Sequence, residues 1–173
     1  MSDQVSLRGR RVTLRPVIEA DRTALVAIRR TEAVRRWWKG TDLDAEFAED
    51  LADEETIRLA VVDERDTVIG LVQFTEEDDP EYRHASIDIY IDPAVHRQGV
   101  ATDALTTVVT HLFDDLGHHR LTIDPAATNS AAINCYAGIG FQPVGVMRQY
   151  ERQPDGSWTD GLLMELLLDD RPR

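Results

Sequence analysis

The chain has 173 residues, 42% hydrophobic and 29% charged; this predicts one globular domain over 1–173 with enough apolar surface for a core. A formal charge of −13 argues against nucleic acid as a partner, because phosphate binding needs a basic surface, and favours cations instead. No apolar run reaches membrane length, no signal-peptide core stands at the N-terminus, no Cys/His cluster has metal-ligand spacing, and one cysteine, Cys135, rules out an internal disulfide; a cytoplasmic protein without a metal is expected.

From the N-terminus, residues 11–15 alternate around Val12 and Leu14 and read as a strand stopped by Pro16. A helix entered at Asp21 carries Ala24, Leu25 and Ile28, with Arg29 and Arg30 near its C-terminal end, where cations suit the dipole. Trp37 and Trp38 follow, side by side, before Lys39 and Gly40. Neighbours point about 100° apart on a helix and to opposite faces of a strand, so the core is not expected to hold both. A helix over 44–53 should bury Phe47 and Leu51. Strands over 57–62 and 68–74 are joined by the turn Asp63-Glu64-Arg65-Asp66, and an acidic loop over 76–81 follows, with Asp79 near its middle.

The central stretch is 87–105. Ile87, Ile89 and Ile91 alternate with Asp88, Tyr90 and Asp92, the period of a strand. Pro93 ends it, and the loop His96-Arg97-Gln98-Gly99 leads into a helix carrying Val100, Ala101, Ala104, Leu105, Val108, Val109, Leu112 and Phe113. A strand, a short glycine loop and a helix N-terminus together make an anion cradle, since free N–H groups point outward and Gly99 admits a close approach. It is not a P-loop, because no Lys-Ser/Thr pair follows the glycine. Beyond it, Gly117 reads as a helix C-cap, 121–124 as a strand, 130–139 as a short helix stopped at Gly140, and 141–151 and 158–168 as strands around Pro154-Asp155-Gly156.

The loop His96-Arg97-Gln98-Gly99-Val100-Ala101 resembles that of the GCN5-related N-acetyltransferases, Gln/Arg-x-x-Gly-x-Gly/Ala, with His96 departing at the first position. A second segment, Asn129 to Phe141, resembles the family's Asn-x-x-Ala-hydrophobic-x-x-Tyr-x-x-x-Gly-Phe pattern. The resemblance implies an α/β acetyltransferase (GNAT) fold: a mixed central sheet of six to seven strands flanked by about four helices, in the order β-α-α-β-β-β-α-β-α-β-β. It implies acetyl-CoA as co-substrate, held by Ile89, Ile91, Arg97, Gln98, Gly99, Val100, Ala101, Thr102 and Asn129, with Tyr136 beside the sulfur. Trp37-Trp38-Lys39-Gly40, the acidic loop leading into Asp88, and Asp124-Pro125 resemble bacterial aminoglycoside 6'-N-acetyltransferases. That closer resemblance implies an antibiotic site lined by Trp37 and Trp38, with Asp79, Asp88 and Asp124 on its ammonium groups.

The chemistry can be stated without the family. An alkyl ammonium must lose a proton before it attacks a thioester; Asp88 is the candidate base, Tyr136 the candidate acid for the departing thiolate, and a backbone N–H near Ile89 or Tyr90 the oxyanion support. Cys135 reads as a small buried hydrophobe, since no histidine stands near it in sequence. The expectation is acetyl transfer to a small cationic amine by a monomer or homodimer. Siderophore-type lysine N-acylation, protein N-terminal acetylation and a non-catalytic acyl-CoA sensor are the alternatives.

Overall fold

A computed structural model describes residues 6–171. Its centre is an eight-stranded sheet in the order β1-β2-β3-β4-β5-β6-β8-β7. The strands are β1 (Leu7–Arg8), β2 (Thr13–Pro16), β3 (Thr56–Val62), β4 (Val68–Glu77), β5 (His84–Ile91), β6 (Arg120–Ile123), β7 (Gln142–Arg152) and β8 (Trp158–Leu167). The helices are α1 (Arg22–Arg30), α2 (Glu32–Arg35), α3 (Leu43–Ala52), α4 (Val100–Thr110) and α5 (Ser130–Ile139). This is the expected mixed α/β fold with β1 and the short α2 added. Only β5 and β6 pair in parallel; every other ladder is antiparallel.

The two periodicities explain the layering. Along β5, Ile87, Ile89 and Ile91 face α4 and α5, where Leu105, Leu112, Leu121 and Phe141 complete the larger core. Each fully buried leucine there contributes about 1.5–3 kcal/mol of transfer free energy. Tyr90 points the other way, into a smaller core of Leu25, Val26, Ile28, Val34, Phe47 and Leu71 beneath α1 and α3. Strand alternation therefore places Asp88 on the α1–α3 face, next to Tyr90. Phe47 is buried as expected, but Leu51 is 42% exposed. A small cavity of about 150 Å³ opens between α3 and the sheet beside it.

Two boundaries differ in ways that matter for the site. β4 continues through Glu76 and Glu77 and β5 begins at His84, so part of the expected acidic loop is strand, in the pairs Glu76↔Ala85 and Glu77↔His84. Glu76 is fixed there by a 2.6 Å contact with the fully buried His118. The central helix ends in a π-helical turn over His111–Asp115, held by a 2.7 Å contact from His111 Nδ1 to Asp115. Among the described residues no helix is long and apolar enough to cross a membrane.

Candidate active site

The decisive feature is the way β5 and β6 part. Their parallel ladder consists of Ala85↔Leu121 and Ser86↔Thr122, closed by a 2.8 Å hydrogen bond between the Ser86 and Thr122 hydroxyls. Beyond that rung the strands diverge, and a cleft of about 830 Å³ lies between their ends, within the usual range for a small-molecule site. Asp88 and Asp124 each stand two residues past the last rung, one on each lip.

The splay leaves backbone groups of β5 without a strand partner on that side. Asp92 N–H donates to the Ile69 carbonyl of the β4 side. Since successive N–H groups alternate in direction, those of Tyr90 and Asp88 also face β4, while those of Ile89 and Ile91 face the gap. Of the two backbone groups considered from sequence, Ile89 thus has its N–H available to the cleft and Tyr90 does not. The Ile91 carbonyl on the same side accepts a 2.9 Å hydrogen bond from His96 Nε2. His96, the departure from the loop pattern, satisfies a carbonyl that the splay would leave bare.

The loop after β5 has the shape of a cradle. Arg97 and Gly99 both have positive φ, 61° and 77°, and Gly99 is the N-cap of α4. A Cβ built on Gly99 would meet nothing within 4 Å, so open space lies against the backbone where the first turn of α4 presents its free N–H groups. Arg97, Gly99, Val100, Ala101 and Thr102 line the cleft, together with Ile89 and Ile91. Gln98 does not: its carbonyl accepts from Arg11 Nη1, and its amide turns back toward Ala94. These features fit a pyrophosphate and its pantetheine arm. On the facing wall, Asn129 Oδ1 caps α5 through Ala132 N–H at 3.2 Å, and Cys135 and Tyr136 follow on the same helix. Cys135 is half-buried, packs against the larger core, and has its thiol pushed up by burial.

At the acceptor end, Asp88 lines the cleft and is exposed to it, with the surrounding walls displacing part of its water. Loss of surrounding water, and then the charge of Asp124, raise its carboxyl to about 6, against a weak 3.4 Å hydrogen bond from Gln73 that lowers it. Tyr136 is buried, with an edge-on contact to Phe141 at 6.4 Å, and burial raises its hydroxyl far above neutrality. It stays protonated throughout the physiological range, so its hydroxyl is available as a hydrogen-bond donor. Asp124 accepts a short hydrogen bond from Tyr150 Oη, the main reason Tyr150 is raised to about 12.

Both tryptophans reach the cleft and both are half-buried. Trp38 packs edge-on against Tyr90, with ring centroids 4.8 Å apart, and so belongs partly to the smaller core. The guanidinium of Arg36 lies over the Trp37 ring at 4.9 Å, which already occupies one aromatic face. Asp79 is not brought to the site. The β4–β5 ladder runs from Gly70↔Ile91 at the cleft end to Glu77↔His84 at the other. Asp88 to His84 alone is about 13 Å at about 3.3 Å per residue, and Asp79 lies beyond, tied into the hairpin by Glu77 and Glu81.

Sequence reasoning passed over Tyr150, Glu151, Asp160 and Gly161, which line the cleft from β7 and β8. The register shifts between Met147 and Glu151, and Gln149 takes φ 51° while its N–H is held by Asp160 Oδ1 at 2.8 Å. This bulge turns Tyr150 over Gly161, where an added Cβ would stand 2.8 Å from the ring. The motif carries no local signal beyond the glycine, because a bulge depends on pairing between strands.

Known proteins agree with this geometry. The Acetyltransferase (GNAT) domain family matches residues 11–142, most of the chain. Over 153 residues the chain is 27% identical to the ribosomal protein bS18-alanine N-acetyltransferase of Haemophilus ducreyi, covering 88% of this chain and 97% of that one. Spermidine N-acetyltransferase of Vibrio cholerae, solved with CoA and spermine, superposes with a TM-score of 0.78 at 22% identity, covering 92% and 96% of the two chains. RimJ of Mycobacterium smegmatis, solved with CoA-disulfide, gives 0.78 at 20% identity over 98% and 89%. The chain belongs to the GNAT family and is an N-acetyltransferase.

Proposed function

We propose that the protein transfers the acetyl group of acetyl-CoA to a primary amine of a small polycationic molecule, in the manner of aminoglycoside 6'-N-acetyltransferases. The carrying observation is the carboxylate pair Asp88 and Asp124, each two residues past the last rung where the two strands part. Glu151 and Asp160 add negative charge to the same end of the cleft. A site with that balance attracts an ammonium and repels an anion.

In this reading the cradle at Arg97 to Thr102 holds the pyrophosphate of the donor, and the thioester supplies an activated acetyl group. Asp124 and Asp88 orient the incoming ammonium. Asp88, raised to about 6, is ionised at neutral pH yet more basic than an ordinary carboxylate, so it takes the amine's proton directly or through one water. The Ile89 N–H faces the oxygen that gains charge. Tyr136 delivers a proton to the departing sulfur.

A second reading is supported by the similarity to an alanine N-acetyltransferase over most of the chain: the amine would then be a protein N-terminus. One screen separates the possibilities by release of CoA thiol. Kanamycin-like aminoglycosides with a free 6'-amine are expected to release thiol, with KM rising as salt rises. Release only with Ala-initiated peptides moves the assignment to a protein N-terminus, and release only with hydroxamate-type lysines moves it to siderophore chemistry. No release with any amine would leave an acyl-CoA sensor.

A further inference from the structure

Within the cleft, Lys39 Nζ lies 2.6 Å from Glu151 Oε1, joining the segment after Trp38 to strand β7 across 112 residues of sequence. Both residues line the cleft. Glu151 directly follows Tyr150, whose hydroxyl holds Asp124, so this carboxylate belongs to the same wall as the acceptor site. An ammonium of the protein itself therefore sits where the site is built to receive ammonium groups.

We infer that Glu151 is a specificity-determining residue for the distal ammonium of a polycationic substrate, and that Lys39 is its internal competitor. The inference rests on reading the cleft as an amine acceptor site. In the free protein Lys39 occupies Glu151; a substrate with a second positive group displaces it, whereas a monocationic amine leaves it in place.

The anchoring of the two residues supports exchange over a rigid strap. The Lys39 carbonyl accepts a 2.8 Å hydrogen bond from Arg29, which is itself paired with Glu46. The loop stays put while the flexible four-carbon stem is free to swing. Among the described residues the ammonium, with three donors, has Glu151 as its one side-chain partner, and Glu151 Oε2 has none. The two side chains are 22% and 40% exposed, so solvent already weakens the pair and its loss is readily offset by an equivalent bond to substrate. Removal of Lys39 alone frees a carboxylate; removal of Glu151 alone abolishes the subsite.

The test is calorimetric titration of CoA-saturated protein with spermidine, which carries several ammonium groups, and with 1-aminobutane, which carries one. Glu151→Gln is expected to weaken spermidine roughly tenfold, as for loss of one charge-assisted contact in a partly solvated site. Lys39→Met, which keeps the stem, is expected to tighten spermidine by roughly three- to fivefold. The affinity for 1-aminobutane should stay within about twofold in both, since only one charge pair is changed. The inference is overturned if either variant shifts both amines equally, if the preference for spermidine is unchanged, or if the wild type binds no spermidine. Thiol release with the same amines separates the two levels. Charge-dependent binding without release would sink the acetyl-transfer reading alone, and release with an unaltered preference would sink this inference alone.

Discussion

The Tyr150 hydroxyl donates to the Asp124 carboxylate, tying an irregular edge strand to the tip of β6. Tyr150 reaches that position only because Gly161 lies beneath its ring. Tyr150→Phe is expected to raise the KM for the amine by roughly three- to tenfold, the worth of one hydrogen bond to a charged group in a half-exposed setting. The KM for acetyl-CoA should not move. Gly161→Ala, which pushes the ring aside, should give the same pattern; steady-state kinetics with both substrates varied decides it. A change confined to acetyl-CoA would remove Tyr150 from the acceptor site.

Asp88 gives a prediction in pH. Its carboxyl is raised to about 6 in the folded protein, above the unfolded value of about 3.9. The folded state therefore holds the extra proton between those values. The stability associated with that proton is present below about pH 4 and is lost as pH rises through 6. Asp88→Asn should raise the melting temperature at pH 8, and the advantage should vanish below about pH 4. Wild-type kcat/KM should rise with pH through about 6. The variant should lack that limb and be slower by roughly 10²–10⁴-fold. A variant with an unchanged pH profile would exclude Asp88 as the base.

Tyr136 separates chemistry from packing. Its ring is buried against Phe141, and its hydroxyl is held protonated by burial. Tyr136→Phe keeps the ring, so stability and CoA affinity should be nearly unchanged, while turnover falls by roughly 10²–10⁴-fold. Turnover within about twofold of wild type would reduce the residue to a core aromatic.

For the cradle, Gly99→Glu places a side chain and a negative charge in space now open, at φ 77°, where a Cβ is strained. The expected result is loss of CoA binding by calorimetry with the protein still folded by circular dichroism. Gly99→Ala adds only a methyl group and should weaken CoA less. Undiminished affinity in a folded Gly99→Glu protein would reject the loop as the pyrophosphate site.

Local patterns made much of this protein legible. The alternation of Ile87, Ile89 and Ile91 with Asp88 and Tyr90 announces a strand with two chemically different faces, and both faces find a hydrophobic layer, except where Asp88 opens on the cleft. The spacing from Gly99 to Leu112 announces the helix behind the cradle, and Asn129 to Phe141 the helix that carries Tyr136. These signals are readable because they arise within one element, from the 2.0- and 3.6-residue periods and from the conformational freedom of glycine. Chain order alone did not decide which elements end at the same place. Asp79 is near Asp88 in sequence, yet the hairpin register carries it to the far end of the sheet. Tyr150, Glu151 and Lys39 are remote from Asp88 and Asp124 in sequence, yet a bulge in β7 and one ion pair set them in the same cleft. The sequence by itself determined the strand, the cradle and the types of side chain available. The parting of β5 from β6 and the bulge opposite Asp160 decided which of those side chains meet, because both come from pairing between distant strands, which no local pattern encodes.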